Sequence, residues 1–231
     1  MFKKIREHYF GFRERTRGMG FKDFALFIKD YYLSDFIIFA AVLGTIIAVT
    51  VTSVININTD YIIYGVGVNV MLTDEGEKYI KDDFFELHKT GGRQKVDYST
   101  VTITDIYSDT GDINATYYSA EGVVAQVGAV RLDYLLLNEL GFQFFASQEI
   151  YMDLRDLLSK EEMEKYADRI VYTQEEGSDE MLPMGIDITD TDFVKYNSLS
   201  KEKTFIAFAG NAPHKELALD FFHYLMNYKK E

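Results

Sequence analysis

INATYYSAEGVVAQVGAVRLDYLLL, residues Ile113 to Leu137, changes its apolar period part-way along. In the first half Ile113, Tyr117, Ala120, Val124 and Val127 recur at intervals of four, three, four and three, one face of a helix, behind Asp112 as a cap. Gly122, Ala125 and Gly128 keep that helix thin, which suits close packing on a sheet. Leu132 to Leu137, LDYLLL, is then a short, mostly apolar run, a buried strand. A helix that hands over to a buried strand is half of a βαβ unit, and that decides for an α/β fold.

Upstream the same alternation repeats. Val96 to Tyr107 alternates as a strand, and Asp74 to His88 has a helical stripe at Tyr79, Ile80, Phe84 and Leu87 that Gly91 and Gly92 end. Tyr61 to Val70, YIIYGVGVNV, reads as a buried strand. Downstream come a short helix at Leu140 to Ala146, a charged helix over Leu154 to Tyr166, and an acidic loop at Thr173 to Glu180. In the charged helix, Ser159 and Glu162 have capping-box spacing. Leu182 to Ile188 and Thr204 to Ala209 read as strands, and a last helix after Asn211 and Pro213 shows Leu217, Ala218, Phe221, Phe222, Leu225 and Met226 on one face. This order predicts a mostly parallel sheet with helices on both faces, over residues 58–231.

Before that domain stands FIIFAAVLGTIIAVTVTSVI, Phe36 to Ile55, with no charged residue. Twenty helical residues cover about 30 Å, the thickness of a hydrocarbon core, so 36–57 is expected to be a single transmembrane helix. A cleaved signal peptide or a buried core helix are the competing readings; the run is long for a signal peptide and follows a head of 35 residues. The head, 1–35, has a net charge of +3, and everything after the span carries −16 of the chain's −13 total. Basic residues stay on the cytoplasmic side, so the expected topology is head inside, domain outside. Phe21, Phe24, Phe27 and Ile28 allow either an amphipathic segment at the inner headgroups or a continuation of the membrane helix.

So acidic a domain repels nucleic acid and anionic headgroups, and nucleic acid is not an expected partner. The chain has no cysteine, so its stability rests on a core that a 47% hydrophobic, 15% aromatic composition can supply. His8, His88, His214 and His223 lack the spacing of a zinc site. Asp109-Thr110-Gly111 matches the aspartic-protease triplet once, where that chemistry needs two carboxylates, and a turn explains it better. Asp187, Asp190 and Asp192 cluster without the spacing of an EF-hand. No glycine-rich phosphate loop follows a strand. The expectation is a protein that is not an enzyme, with no cofactor and no metal.

Arg131 to Leu158, RLDYLLLNELGFQFFASQEIYMDLRDLL, resembles a segment of bacterial extracellular solute-binding proteins in which a strand, a short helix and an aromatic-Met-Asp-Leu turn follow one another. Leu182 to Phe193 and Phe205 to Met226 resemble two later segments of that family, and the basic head before a span is similar to small membrane-anchored proteins of Gram-positive bacteria. The resemblance implies a periplasmic-binding-like sheet with ligands at the carboxyl ends of its strands. Carried over, the candidate ligand-binding residues are Tyr107 and Ser108 after the second strand, Asn138 and Glu139 after the third, and Asp187. A solute receptor has two lobes, and this chain has residues for one and no tryptophan to stack a sugar. A reduced domain is therefore expected, acting as a membrane-tethered accessory or interaction protein beside an envelope membrane protein. The alternative is a module that binds a small polar solute and feeds a transporter or sensor.

Overall fold

The computed structural model of the chain describes residues 12, 14–57, 59–105, 113–174 and 180–230, which fall into two units, 1–58 and 59–231. In the first, Phe21–Ile57 is one unbroken helix, α1, about 55 Å long. The segment before the apolar run is thus a continuation of the same helix. Leu33–Val54 has a mean hydropathy of 2.4 with none of it buried, and is long and apolar enough to cross a membrane. Its two threonines in the middle, Thr45 and Thr50, donate their hydroxyls to the carbonyls of Ala41 and Ile46 at 2.9 and 2.8 Å, so neither needs water.

The second unit is α/β. Its strands are β1 (Asp60–Val68), β2 (Gln94–Val101), β3 (Tyr134–Leu137), β4 (Ile170–Gln174), β5 (Met181–Asp187) and β6 (Phe205–Phe208). They form one sheet in the order β2-β1-β3-β6-β5-β4. β1 pairs in parallel with β2 and β3, whereas β3–β6, β6–β5 and β5–β4 are antiparallel. The sheet is therefore mixed, with parallel pairing confined to one half, where the sequence had predicted a mostly parallel one. For β4 and β5 the reason lies in the connection. A parallel return needs a crossover of a dozen residues or more, and β4 and β5 are only six residues apart.

All four residues of β3 and all four of β6 are buried, and since neighbours on a strand point to opposite faces, both faces are covered. On one face lies a rod, α2, built of Asp74–Lys78, a π-helical turn Tyr79–Asp83 and Phe84–His88, beside α7 (Lys215–Met226). Tyr79 and Tyr224 stack with centroids 4.2 Å apart, and each hydroxyl donates to the other's carbonyl. Phe221 of α7 lies against Tyr134 of β3, and Phe84 of α2 meets Phe221 edge-on. Ala218, Phe221, Phe222 and Leu225 of α7 are buried, and each of the larger three contributes roughly 1.5–3 kcal/mol by its burial. On the other face α4 (Glu139–Ala146) sets Phe142 against Phe205, and Gly141 lets the helix close on Val68. A Cβ at Gly141 would stand 2.8 Å from the Val68 methyl.

Four local expectations change. The charged helix divides into a 3₁₀ turn, Leu154–Asp156, and α5, Lys160–Lys165, the latter with the Ser159–Glu162 capping box in place. β4 occupies Ile170–Gln174, of which the sequence left 170–172 unassigned and placed Thr173 and Gln174 in the acidic loop, and α6 (Asp192–Asn197) sits where no helix was predicted. Most informative is α3 (Ile113–Gly128), which buries Thr116, Ala120, Val123 and Val127 and leaves Ile113, Tyr117 and Val124 exposed. Its buried face is turned by one residue from the predicted one, because the Thr116 hydroxyl is held by Thr104, whose backbone N–H donates to it at 3.0 Å. A Cβ at Gly122 or Gly128 would meet nothing within 4 Å, so these glycines face away from the sheet. The close approaches belong instead to Gly65 under the Tyr134 ring, Gly67 under the Tyr98 hydroxyl, and Gly141.

Candidate functional site

β1 leads out to β2 on one side and the chain returns to β3 on the other, so the strand order reverses between β1 and β3. In open α/β sheets the crevice outside the carboxyl ends at such a point is where ligands bind. β5 runs in the same direction as β3, and Phe205 of β6 pairs with both Leu137 and Asp187, which places Asn138 and Asp187 on this one edge.

Asn69 follows β1 with φ 57°, a left-handed conformation that asparagine tolerates and most residues do not. Its amide donates to the Ile103 carbonyl at 2.9 Å and its oxygen accepts from the Ile103 N–H at 2.9 Å, tying the end of β1 to the chain after β2. The same amide reaches the Asn138 oxygen at 3.3 Å. That oxygen also accepts from the Gly141 N–H at 2.9 Å as the N-cap of α4, and the Asn138 amide donates to Glu202 at 2.6 Å. Asn138 is buried, and both ends of its amide are engaged by the protein.

Of the other residues expected here, Glu139 is the exposed first residue of α4, where an acid suits the helix dipole. Asp187 ends β5, and its carboxylate accepts from the Thr189 N–H at 2.9 Å. Tyr107 and Ser108 lie outside the described residues, as do the Asp109-Thr110-Gly111 triplet and the Asp112 cap. Of the clustered aspartates, Asp190 and Asp192 are engaged with cations of the chain itself. Asp190 pairs with Arg169, which holds it below the usual carboxylate range, and Asp192 lies 3.7 Å from Lys229. Among the described residues no group of acidic and histidine side chains is arranged to hold a metal.

The opposite, amino edge carries a pair that the sequence did not reveal. Asp133, just before β3, is wholly buried and accepts from the Tyr64 N–H at 2.8 Å and the His214 N–H at 2.9 Å, with the His214 ring nitrogen at 3.2 Å. Burial pushes its pKa up, while the bonds from Tyr64 and His214 pull it back. An open depression of about 330 Å³ beside His214 is lined by Asp60, Tyr61, Val130, Arg131 and Pro213. An imidazole oriented by a buried carboxylate can act as a base, and the one hydroxyl of this lining is the Tyr61 phenol. The pair's evident work is structural: Asp133 holds the N-terminus of α7, whose N-cap residue His214 makes no side-chain cap of its own, and extends the β1–β3 ladder. A lone acid inside the apolar run LDYLLL was the available signal, since a buried charge requires partners.

Compared with known proteins, the chain matches no protein-family model, no curated protein and no solved structure.

Proposed function

We propose that this chain is a single-pass membrane protein, head in the cytoplasm, holding a reduced solute-binding-like α/β domain outside the bilayer as a non-catalytic accessory or interaction module. The span is supported by Leu33–Val54, and the orientation by the +3 and −16 charges on either side. The periplasmic-binding-like reading is supported by the parallel β2-β1-β3 trio with its point of reversal. One observation favours an accessory role over a solute receptor: the crevice at that point is bridged by the chain's own Asn69, Asn138 and Glu202. A ligand there would have to break these partly buried hydrogen bonds before making any.

Thermal melting against a panel of small polar solutes tests the reading, because a ligand that binds only the native state must raise the melting temperature. No shift is expected. A saturable shift that Glu139→Ala or Asp187→Ala removes would establish the solute-binding alternative. Protease added to protoplasts should remove the domain and spare the head; a protected domain would reverse the orientation.

A further inference from the structure

The depression beside His214 is lined by two opposite charges that the chain leaves unpaired. Asp60 and Arg131 are both exposed, and among the described residues neither side chain forms a hydrogen bond or an ion pair. Arg155 and Arg169, by contrast, are held by acids of the chain. His214 adds a third polar group: with Nδ1 donating to the buried Asp133, its neutral ring keeps Nε2 as a hydrogen-bond acceptor. Val130 and Pro213 supply apolar wall. Tyr61 is fixed by Lys95, whose ammonium stands 4.6 Å from the ring centroid and donates to Asp97 at 2.9 Å. The depression thus offers a fork of donors to an anion, and a carboxylate and an imidazole to a cation that carries N–H groups.

We infer that this depression takes the headgroup of a zwitterionic aminophospholipid, of the phosphoethanolamine class, from the bilayer that anchors the chain. Its phosphate is matched to Arg131, and its ammonium to Asp60 and Nε2 of His214. Charge selects this occupant. A domain with −16 repels anionic headgroups, whereas a headgroup without net charge is not repelled and complements the unpaired pair. The tether supplies the lipid. Asp60 follows Ile57, the last residue of α1, by three residues, a path of at most about 11 Å. A site held that close to a bilayer meets its lipid at high effective concentration and has no need of tight binding. The cation must carry N–H groups, because a choline head has none to give Asp60 or His214, and one face of Tyr61 that a quaternary cation would use is taken by Lys95. At about 330 Å³ the depression is at the small end of ligand sites, room for a headgroup whose acyl chains stay in the membrane. The inference rests on the single-pass reading for its source of lipid, and not on the accessory role.

Native mass spectrometry of the full chain released from neutral detergent micelles, with lipids of one acyl length added, reads the headgroup preference. Phosphatidylethanolamine should be retained over phosphatidylcholine and phosphatidylglycerol. Arg131→Ala and Asp60→Asn should each lower that retention by about tenfold, as expected for a lost hydrogen bond to a charged group. Asp60→Lys makes both charges positive and should turn the preference to phosphatidylglycerol, a result that misfolding would not mimic. Lys201→Ala, exposed before β6, should change nothing. Equal retention of the three lipids, or a preference that Arg131→Ala and Asp60→Lys leave intact, would overturn the inference. Displacement by free phosphoethanolamine at about 1 mM would also overturn it, by making the depression a site for a soluble zwitterion. Release of the chain from membranes by alkaline carbonate would instead remove the span, and with it the source of lipid, whatever the headgroup preference.

Discussion

Replacing Asn138 separates a brace from a binding residue. Asn138→Ala removes the cap on Gly141, typically about 1 kcal/mol, and the bonds to Asn69 and Glu202, roughly 0.5–1.5 kcal/mol each. The expected cost is about 2–4 kcal/mol, which for a domain of this size lowers the melting temperature by about 5–12 °C. Asn138→Asp keeps the cap but sets a carboxylate against Glu202 where a 2.6 Å hydrogen bond now stands. Two carboxylates so close share a proton, so the native pair titrates above its unfolded value. Stability relative to wild type is then lowest at pH 7–8 and recovers as the pH falls through the raised native pKa towards 4. Glu202 is exposed, so screening limits the deficit at neutral pH to about 1 kcal/mol beyond any change in the cap. Near-UV circular dichroism of the full chain in detergent, through the 17 tyrosines, reports the melting. If Asn138→Ala leaves the midpoint within about 1 °C of wild type, the crevice is not braced as described and its side chain is free for a ligand.

Gly128→Leu should leave the domain's melting unchanged or raise it by up to about 1 kcal/mol through helix propensity, whereas Gly141→Ala should cost about 1–3 kcal/mol by overpacking Val68; the reverse ranking would refute the orientation of α3. Val130, in the left-handed region at φ 54° just past α3, is strained by about 1–2 kcal/mol; after the backbone entropy of glycine, Val130→Gly should gain about 0.5–1 kcal/mol in urea unfolding, and a loss would mean that the valine side chain is needed where it stands. Because burial raises the pKa of Asp133, its contribution to stability is greatest below the unfolded value of 3.8 and declines as the pH rises through the native one. Asp133→Asn should flatten that part of the pH–stability curve, and an unchanged slope would show that Asp133 does not titrate differently on folding.

Elements with a long apolar face or a wholly apolar run were legible in the sequence: the helix of Lys215–Met226 and the runs that became β1, β3 and β6 fall where the pattern put them. Ile170–Gln174 and Asp192–Asn197 escaped because each is short and mixes polar with apolar residues, so it shows neither a period nor an apolar run. α3 misled for a different reason. Both Ile113-Tyr117-Val124 and Val123-Val127 are apolar stripes, and periodicity cannot choose between two when the deciding contact is a threonine bonded to a strand end. At the crevice, Asn138 could be placed at the end of its strand. Its engagement by Asn69 and Glu202, 69 and 64 residues away in the chain, has no signature in local sequence.

The position of β6 governs how the domain can be assembled. The last strand to be made lies between β3 and β5, so without Phe205–Phe208 the sheet falls into a three-stranded piece and a two-stranded one with no ladder between them. Earlier strands therefore wait, with two open edges, until nearly the whole chain has been synthesised. Closure of so non-local a sheet is slow, and those edges are exposed to aggregation for as long as it takes. A nascent chain stalled shortly before Phe205 would hold every other strand of the domain and still be unable to close it.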